Sequence, residues 1–391
     1  MKKYTNTKIS CYTGYFVQAI INNWLPILFV TFQNVYGFSY ERLGRIILVN
    51  FSVQIVADFS SVYITKAIGF KKSAILSQVI AAIGFILMGF LPTVMSNKFA
   101  AMIISVIVYA YGSGFMEVIL SPIMELLPSD NKSGAMCFLH SMYCWGQAVT
   151  VILTSVLLLM LGSAKWYIIP LLWSIIPIID TILFIKVPVI EPDPETEQNT
   201  SFRRLFNGEF LGYMVFMLCA GASEISMAQW ASTFSQNALG ISQLKGDILG
   251  PCLFALFMGS GRILFGLLSK KVKFCKIFLV CSLLCVVCYV TAGLSNNHIV
   301  ALLACGFCGI TVSAFWPGTY SLSAKQIKNG GTLMYSIFAL CGDMGCSLGP
   351  WILGLFADKL SLNAGFVFSS IWPLIMAVTA LLLMKKEKEI I

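Results

Sequence analysis

The chain has 391 residues, of which 58% are hydrophobic and 11% are charged, and its formal net charge is +9 at pH 7. A soluble globular protein carries about 25% charged residues, so this composition excludes a water-soluble domain and indicates an integral membrane protein. Repeated apolar runs of about 20 residues predict membrane-spanning helices and exclude the alternating pattern of a membrane β-barrel.

Hydropathy predicts an all-α fold with twelve membrane-spanning helices. The basic segment "MKKYTNTKIS" leads into an apolar run that is too long for a cleaved signal peptide, so we interpret that run as a retained first span. In chain order, the predicted spans cover residues 12–35, 44–66, 73–92, 99–124, 133–161, 165–186, 209–236, 246–268, 275–294, 298–321, 331–357 and 362–384.

The longest connection, "VPVIEPDPETEQNTSFRR", lies between the sixth and seventh predicted spans. It is polar and acidic at first and then basic, which is typical of a linker. We therefore predict an N-terminal six-helix half at residues 1–186, a cytoplasmic linker at 187–206 and a C-terminal six-helix half at 207–391.

The two halves resemble each other weakly in sequence. "TFQNVYGFS" ends the first span and "TFSQNALGIS" ends the seventh, while Pro122 and Pro317 follow the fourth and tenth spans at matching places. We expect these prolines to kink their helices. Two six-span repeats with a substrate at their interface are a transporter architecture.

Lysine and arginine predict the orientation of the chain. With the N-terminus in the cytoplasm, inner segments hold 19 of the 26 basic residues and outer segments hold six, while Arg262 lies within a span. Cytoplasmic loops are enriched in these residues, so we predict a plasma-membrane protein with both termini in the cytoplasm. The net charge is then a topology signal rather than a sign of nucleic-acid binding.

Polar side chains recur on single faces of several predicted spans. His140, Tyr143 and Gln147 share one face of the fifth span, and such stripes line a cavity or pack helices closely. The predicted substrate-binding residues are Gln18, Asn22, Asn23, Tyr109, His140, Tyr143, Gln147, Trp230, Trp316 and Tyr320.

Glu117 stands inside the apolar stretch "GSGFMEVILSPIMELLP". Because burial disfavours the charged form of a carboxyl, such a group can take up and release a proton near neutral pH, as proton coupling requires. Glu224, near the middle of the seventh span, is a second candidate. The alternative for both is a permanently protonated, hydrogen-bonded glutamic acid.

Other polar residues within the spans suggest structural or gating roles. We expect Asp58, Arg262 and Asp343 to act as gating residues, Arg262 and Asp343 by pairing in a conformation-dependent way. The alternative for Asp58, near the cytoplasmic end of its span, is a structural role in capping or pairing there. Asp180, near the inner end of the sixth span, is expected to reach the membrane interface. Gln78 is the polar exception in the otherwise apolar third span.

The cysteines do not indicate a metal site. The chain has 13 of them, and the Cys305–Cys308 pair lies in an apolar run without further ligands, so we interpret these residues as small packing side chains. No nucleophile–base arrangement and no Walker A loop is present. We therefore expect no metal, no cofactor and no enzymatic activity.

Three segments resemble motifs of the major facilitator superfamily. "VYITKAIGFKK" (62–72) resembles its Gly-x-x-x-Asp-x-x-Gly-Arg-Lys signature, although Val62, Lys66 and Phe70 replace the first Gly, the Asp and the Arg. "GSGRILFGLLSKKVK" (259–273) is similar to a second copy, and "GDMGCSLGPWILG" (342–354) to the Gly-rich eleventh helix. The resemblance implies twelve helices in two pseudo-symmetric halves and transport by alternating access.

Within that superfamily, the stretch around Glu117 resembles the fucose–galactose–glucose proton symporter branch. The branch carries a glutamate followed by Asn-Pro, and here Glu117 precedes Ser121-Pro122. "LHSMYCWG" (139–146) resembles the start of the branch's fifth helix. The branch's first-span aspartate is replaced by Asn22 or Asn23, so its two-carboxylate mechanism does not carry over.

We therefore expect a secondary active transporter of a small neutral polar solute, most plausibly a sugar, coupled to protons. It is expected to work as a monomer in the lipid bilayer. One alternative is proton-driven efflux of amphipathic compounds, which the 29 Phe and 17 Met residues suggest. Another is a membrane sensor that binds without transporting.

Overall fold

The computed structural model describes residues 4–128, 132–191, 208–268, 274–327 and 331–389, and these residues form helices and short connections with no strand among them. The helices of the N-terminal part of the chain are α1 (Thr5–Asn23), α2 (Phe29–Tyr36), α3 (Tyr40–Ile68), α4 (Phe70–Val94), α5 (Lys98–Leu126), α6 (Lys132–Leu161), α7 (Ile168–Trp173) and α8 (Ile175–Lys186).

The helices of the C-terminal part follow after the linker, most of which lies outside the described residues. They are α9 (Gly208–Asn237), α10 (Gln243–Asp247), α11 (Leu253–Leu268), α12 (Phe274–Leu294), α13 (His298–Val312), α14 (Phe315–Gln326), α15 (Gly331–Lys359), α16 (Leu362–Ser369) and α17 (Ile371–Glu389). A π-helical turn, Ile248–Cys252, joins α10 to α11 and contains Pro251.

Twelve helical segments in the described part of the chain are long and apolar enough to cross a membrane, which confirms the predicted number of spans. The first segment, Thr5–Tyr36, begins earlier than hydropathy predicted. Pro26 interrupts its α-helical pattern, because proline has no N–H to donate, and a 3-10 turn at Leu25–Leu28 separates α1 from α2.

The two prolines at matching places in the repeats have different local structures. α5 continues as one helix through Pro122 to Leu126. In the corresponding tenth span, α13 ends at Val312 and α14 begins at Phe315, so Pro317 lies in the first turn of a new helix. A proline is tolerated there because the first turn has no intrahelical acceptor for its missing N–H.

Contacts between Cα atoms divide the chain into two compact units. Unit 1 comprises Met1–Phe38 and Val49–Glu195, and unit 2 comprises Ser39–Leu48 and Thr196–Ile391. In unit 1, α1 packs on α5, α6 and α8, and α4 packs on α5 and α8. In unit 2, α9 packs on α15 and α17, and α13 packs on α11 and α12.

The first turn of α3 belongs to unit 2 through its contacts with the end of α15. The Asp358 carboxylate accepts hydrogen bonds from the backbone N–H groups of Tyr40 at 2.8 Å and of Glu41 at 2.6 Å. The Trp351 indole donates to Glu41 Oε1 at 3.2 Å. A carboxylate at a helix N-terminus satisfies free N–H groups and complements the helix dipole, so Asp358 serves as an N-terminal cap for α3.

Glycines bring the backbones of α9 and α15 into contact. A Cβ atom on Gly345 would lie 1.9 Å from the carbonyl oxygen of Leu218 and 2.8 Å from the backbone nitrogen of Ala222. No side chain fits at such a distance, so this helix pair depends on the small-residue packing common in membrane bundles. The eleventh predicted span is rich in glycine because its helix, α15, lies in backbone contact with α9.

Gly345→Ala is expected to destabilise the protein by about 1–3 kcal/mol, because the added methyl group forces the two backbones apart. Thermal unfolding of the purified protein measures the effect. Gly212→Ala in α9 is the matched control, since the nearest atom to its Cβ would lie at 3.5 Å. An equal loss in both variants would contradict the packing argument.

Candidate functional site

A carboxyl and an amide meet in unit 1 where α1 crosses α5. The Gln18 side chain donates from Nε2 to Glu117 Oε2 at 2.5 Å. Gln18 is buried, whereas Glu117 is half-buried. The sequence predicted both residues as site residues 99 positions apart, and the structure brings them into contact.

Three further side chains extend this contact into a group that we call the glutamate cluster: Glu117, Gln18, Tyr15, Ser121 and His140. The Tyr15 and Ser121 hydroxyls share a hydrogen bond of 2.6 Å. The His140 ring meets the Tyr15 ring edge-on, with centroids 5.1 Å apart, and His140 itself is exposed. The cluster therefore combines a carboxyl, an amide, two hydroxyls and an imidazole at a partly open surface of unit 1.

Tyr143 and Asn23 extend the polar surface between α1 and α6. The Asn23 amide donates to the Tyr143 hydroxyl at 3.3 Å and to the Ala19 carbonyl at 2.9 Å. Gln147, one turn further along α6, is buried. The polar stripe predicted on the fifth span thus faces α1 at Tyr143.

A second polar group, the amide network, lies one helical turn from the glutamate cluster on both α1 and α5. Asn22 Oδ1 accepts hydrogen bonds from Asn50 Nδ2 and Gln54 Nε2, each at 3.0 Å. The Ser113 hydroxyl donates to Gln54 Oε1 at 3.2 Å. All four side chains are buried. Asn22 therefore links α1 to α3, and Gln54 continues the link to α5. Asn22 is one of the two asparagines that stand where the symporter branch has its first-span aspartate.

Asn22→Leu is expected to lower the free energy of unfolding by about 2 kcal/mol, because the amide donors of Asn50 and Gln54 would remain buried without their acceptor. Thermal unfolding again provides the measurement. Asn34→Leu makes the same chemical change at an exposed position of α2 and serves as the control. Equal stability of Asn22→Leu and the parent protein would contradict a structural role for the network.

The corresponding polar contact in unit 2 is an ion pair. Arg262 on α11 approaches Glu224 on α9, with Nη2 3.6 Å from Oε1. The side chains are 21% and 6% exposed, respectively, so the pair is largely withdrawn from water. The sequence predicted Arg262 as a gating residue and Glu224 as a coupling residue, and the structure makes them partners.

The other predicted site residues of unit 2 have different environments. Trp316 and Tyr320 on α14 are half-buried, and the Trp316 ring packs against Gly342, next to the buried Asp343. Trp230 is fully buried, and its indole donates to the Pro350 carbonyl at 2.9 Å. The ring of Trp230 is therefore enclosed by protein.

Two predicted residues of unit 1 lie away from the glutamate cluster. Tyr109 on α5 is 1% exposed and stacks on Phe85, with ring centroids 5.4 Å apart. Asp58 on α3 is half-buried.

Tyr15 was missing from the set predicted on sequence grounds. It precedes Gln18 by three residues and Asn22 by seven, which places all three on one face of α1. That spacing was readable in the sequence. The partnership with Ser121 was not, because it depends on how α1 and α5 pack.

The cysteines of α12 and α13 pack against each other. Cys285 and Cys308 lie with their sulfur atoms 3.7 Å apart, and both are fully buried. Within the described ranges, no group of three or more His, Cys, Asp or Glu side chains is arranged to hold a metal ion.

Twelve helical segments of the described chain are long and apolar enough to cross a membrane, as in a multi-pass membrane protein. The chain belongs to the Major Facilitator Superfamily, whose family model matches residues 11–334 and 252–390. The resemblance noted in the sequence motifs is thereby confirmed at the level of the superfamily.

The chain is also similar to a curated membrane protein and, in fold, to solved structures. The chain is 20% identical over 338 residues to the membrane protein MosC of Rhizobium meliloti, covering 86% of this chain and 80% of that protein. The fold is similar to that of a D-xylose–proton symporter, with a TM-score of 0.81, 14% identity and 97% coverage of each chain. It is also similar to the E. coli fucose:proton symporter, with a TM-score of 0.67, 15% identity and coverage of 97% and 98%.

Proposed function

We propose that this transporter is a symporter of protons and a small neutral polar solute, most plausibly a sugar, and that it works by alternating access. The observation that carries the proposal is the Glu117 carboxyl, which is half-buried and accepts a hydrogen bond from Gln18. A carboxyl in this environment can change its protonation state while its hydrogen-bond partner stays in place. Proton binding and solute binding to the same cluster are then linked reciprocally.

The chemistry of the cluster favours a neutral polar solute. The amide, hydroxyl and imidazole groups around Glu117 offer both donors and acceptors, which suits the hydroxyl groups of a sugar. The glutamate cluster as defined contains no Lys or Arg. An anionic solute would require such a charge to offset its desolvation.

Glu117 is a better coupling residue than Glu224. The Glu224 carboxyl lies 3.6 Å from the Arg262 guanidinium, and a neighbouring cation favours the ionised form of a carboxyl. Glu117 accepts a hydrogen bond from the uncharged Gln18 amide. We therefore assign proton coupling to Glu117, and to Glu224 and Arg262 a structural or gating ion pair.

The proposed solute site near Glu117 contains the buried amides of Gln18 and Asn23, the half-buried Tyr143 and the exposed His140. Tyr109 and Trp230 are left out because protein atoms enclose their rings. Trp316 and Tyr320 stay in the proposal as half-buried residues of unit 2. Asp58 and Asp343 stay as proposed gating residues.

Proteins of similar fold support the proposal of proton-coupled sugar transport, although they do not identify which sugar this chain carries. Two proteins of similar fold are a D-xylose–proton symporter and a fucose:proton symporter. The distribution of lysine and arginine supports a plasma-membrane location with both termini in the cytoplasm. We further propose that the monomer is the transporting species.

The proposal is tested by uptake into proteoliposomes that contain the purified protein. Labelled pentoses, hexoses, nucleosides and a hydrophobic dye are offered with and without a pH gradient. The expected result is accumulation of a sugar only when the outside is acidic, with the hydrophobic dye neither transported nor competing. Gradient-driven movement of the dye would support efflux of amphipathic compounds instead, and binding without counterflow would support a sensor.

A further inference from the structure

Asp180 on α8 and Gln78 on α4 form a second carboxyl–amide contact in unit 1. Gln78 Nε2 donates to Asp180 Oδ2 at 2.7 Å, and both side chains are 0% exposed. The expectation that Asp180 reaches the membrane interface is therefore wrong. The packing of α8 on α1 and α4 turns this carboxyl inward.

Each partner of this contact has a buried oxygen without a hydrogen bond. Among the described residues, neither Asp180 Oδ1 nor Gln78 Oε1 has a partner. An ionised carboxylate has only acceptor atoms, and an amide oxygen is also an acceptor, so these two atoms cannot satisfy each other. A charged, half-satisfied carboxylate at full burial is strongly disfavoured.

A single proton on Asp180 would let the two unpartnered oxygens, Asp180 Oδ1 and Gln78 Oε1, hydrogen-bond to each other. A carboxylic acid has an O–H donor and a carbonyl acceptor, while a primary amide has an N–H donor and a carbonyl acceptor. With the proton on Oδ1, the acid can donate to Gln78 Oε1 while the amide continues to donate to Oδ2. We propose that Asp180 and Gln78 form a proton-binding site, in which Asp180 holds its proton as a neutral carboxylic acid paired with the amide.

Among the described residues, the groups shown to face the pair from α1 and α4 are uncharged. From α1, the backbone of Gly14 covers the pair, since a Cβ there would lie 3.1 Å from Gln78 Nε2 and 3.4 Å from Asp180 Oδ2. The titratable group that α1 presents to Asp180 is the thiol of buried Cys11. α4 presents Gln78, and α7, "IIPLLW", contains no titratable side chain. No ion pair to Asp180 occurs among the described residues.

This site is separate from Glu117, although both adjoin one face of α1. Gly14 contacts the Asp180–Gln78 pair, and Gln18, one turn further along α1, contacts Glu117. Glu117 is half-buried, and neither of its oxygens is both buried and unpartnered. Asp180 is fully enclosed. The two carboxyls thus divide into one that exchanges its proton and one that retains it, and the second statement does not depend on the first.

Asp180→Asn tests the site, because an asparagine can form the same two hydrogen bonds with Gln78 without a proton. This variant is expected to unfold at the temperature of the parent protein, whereas Asp180→Leu, which leaves the Gln78 amide buried and unpaired, is expected to unfold several degrees lower. If Asp180→Asn is destabilised as much as Asp180→Leu, the carboxyl is ionised and the proposal fails.

Infrared spectra of the membrane-embedded protein at neutral pH give an independent readout. Asp180→Asn is expected to remove a protonated carboxylic-acid carbonyl band, and it should do so equally in a Glu117→Gln background. Asp358→Asn is the comparison, because that exposed carboxylate caps α3 and should remove a carboxylate band instead. Loss of a carboxylate band in Asp180→Asn would overturn the proposal.

Discussion

Glu117→Gln is expected to abolish uphill accumulation of the solute, so that the accumulation ratio in proteoliposomes falls to about 1 even with an imposed pH gradient. Glutamine keeps the size and hydrogen-bonding capacity of a protonated glutamic acid but cannot release a proton. Solute should therefore still bind and exchange. The measurement is a pair of assays on one preparation, gradient-driven uptake and counterflow of labelled solute without a gradient.

Glu125→Gln is the matched control for this experiment. It makes the same substitution on the same helix, α5, at an exposed position. It is expected to accumulate solute as the parent protein does. If Glu117→Gln still accumulates solute against its gradient, Glu117 is not the coupling residue. Loss of counterflow as well would instead indicate that Glu117 is needed to bind the solute.

Arg262→Met is expected to lower the free energy of unfolding by about 3 kcal/mol, because it leaves the Glu224 carboxylate buried without its counter-ion. This loss of unfolding free energy lies at the lower end of the range for breaking a buried ion pair. The reason is that the Arg262 side chain is 21% exposed and its Nη2 lies 3.6 Å from Glu224 Oε1. Thermal unfolding in detergent measures it. The loss should be at or above the upper end of that expected for Gly345→Ala in the same unit.

The double variant Arg262→Met with Glu224→Leu separates the ion pair from the packing of its side chains. Replacing both charges with apolar groups is expected to recover most of the stability that Arg262→Met alone loses. If the stability loss of the double variant equals the sum of the losses of Arg262→Met and Glu224→Leu, the two residues are not coupled. Arg45→Met offers a control, because the exposed Arg45–Glu41 pair is expected to contribute about 0.5 kcal/mol at most.

The number of spans was predictable from the sequence for a physical reason. A helix that crosses the bilayer needs a long uninterrupted apolar run, which composition along the chain reveals without knowledge of neighbours. The same applies to Glu117, since a carboxyl inside such a run is conspicuous wherever the helix packs. The glycines of the eleventh span were likewise readable, and Gly345 shows why the helix contact requires them.

Local interruptions of the helices were less predictable. Pro122 and Pro317 occupy matching places in the sequence, yet α5 continues through the first and the tenth span is broken before the second. A proline removes one donor in either case. Which structure results depends on the packing of neighbouring residues, which a single chain position does not encode.

The sequence by itself determined the class of the protein, its twelve spans and the positions of the carboxyls within them, because these follow from the cost of placing polar groups in hydrocarbon. Only the tertiary structure decided which partner each carboxyl has. Glu117 contacts Gln18, Glu224 contacts Arg262, and Asp180 turns inward to Gln78 instead of reaching the interface. Those partners come from separate helices, so they are set by how the helices pack, and the proposed chemistry of each carboxyl depends on that packing.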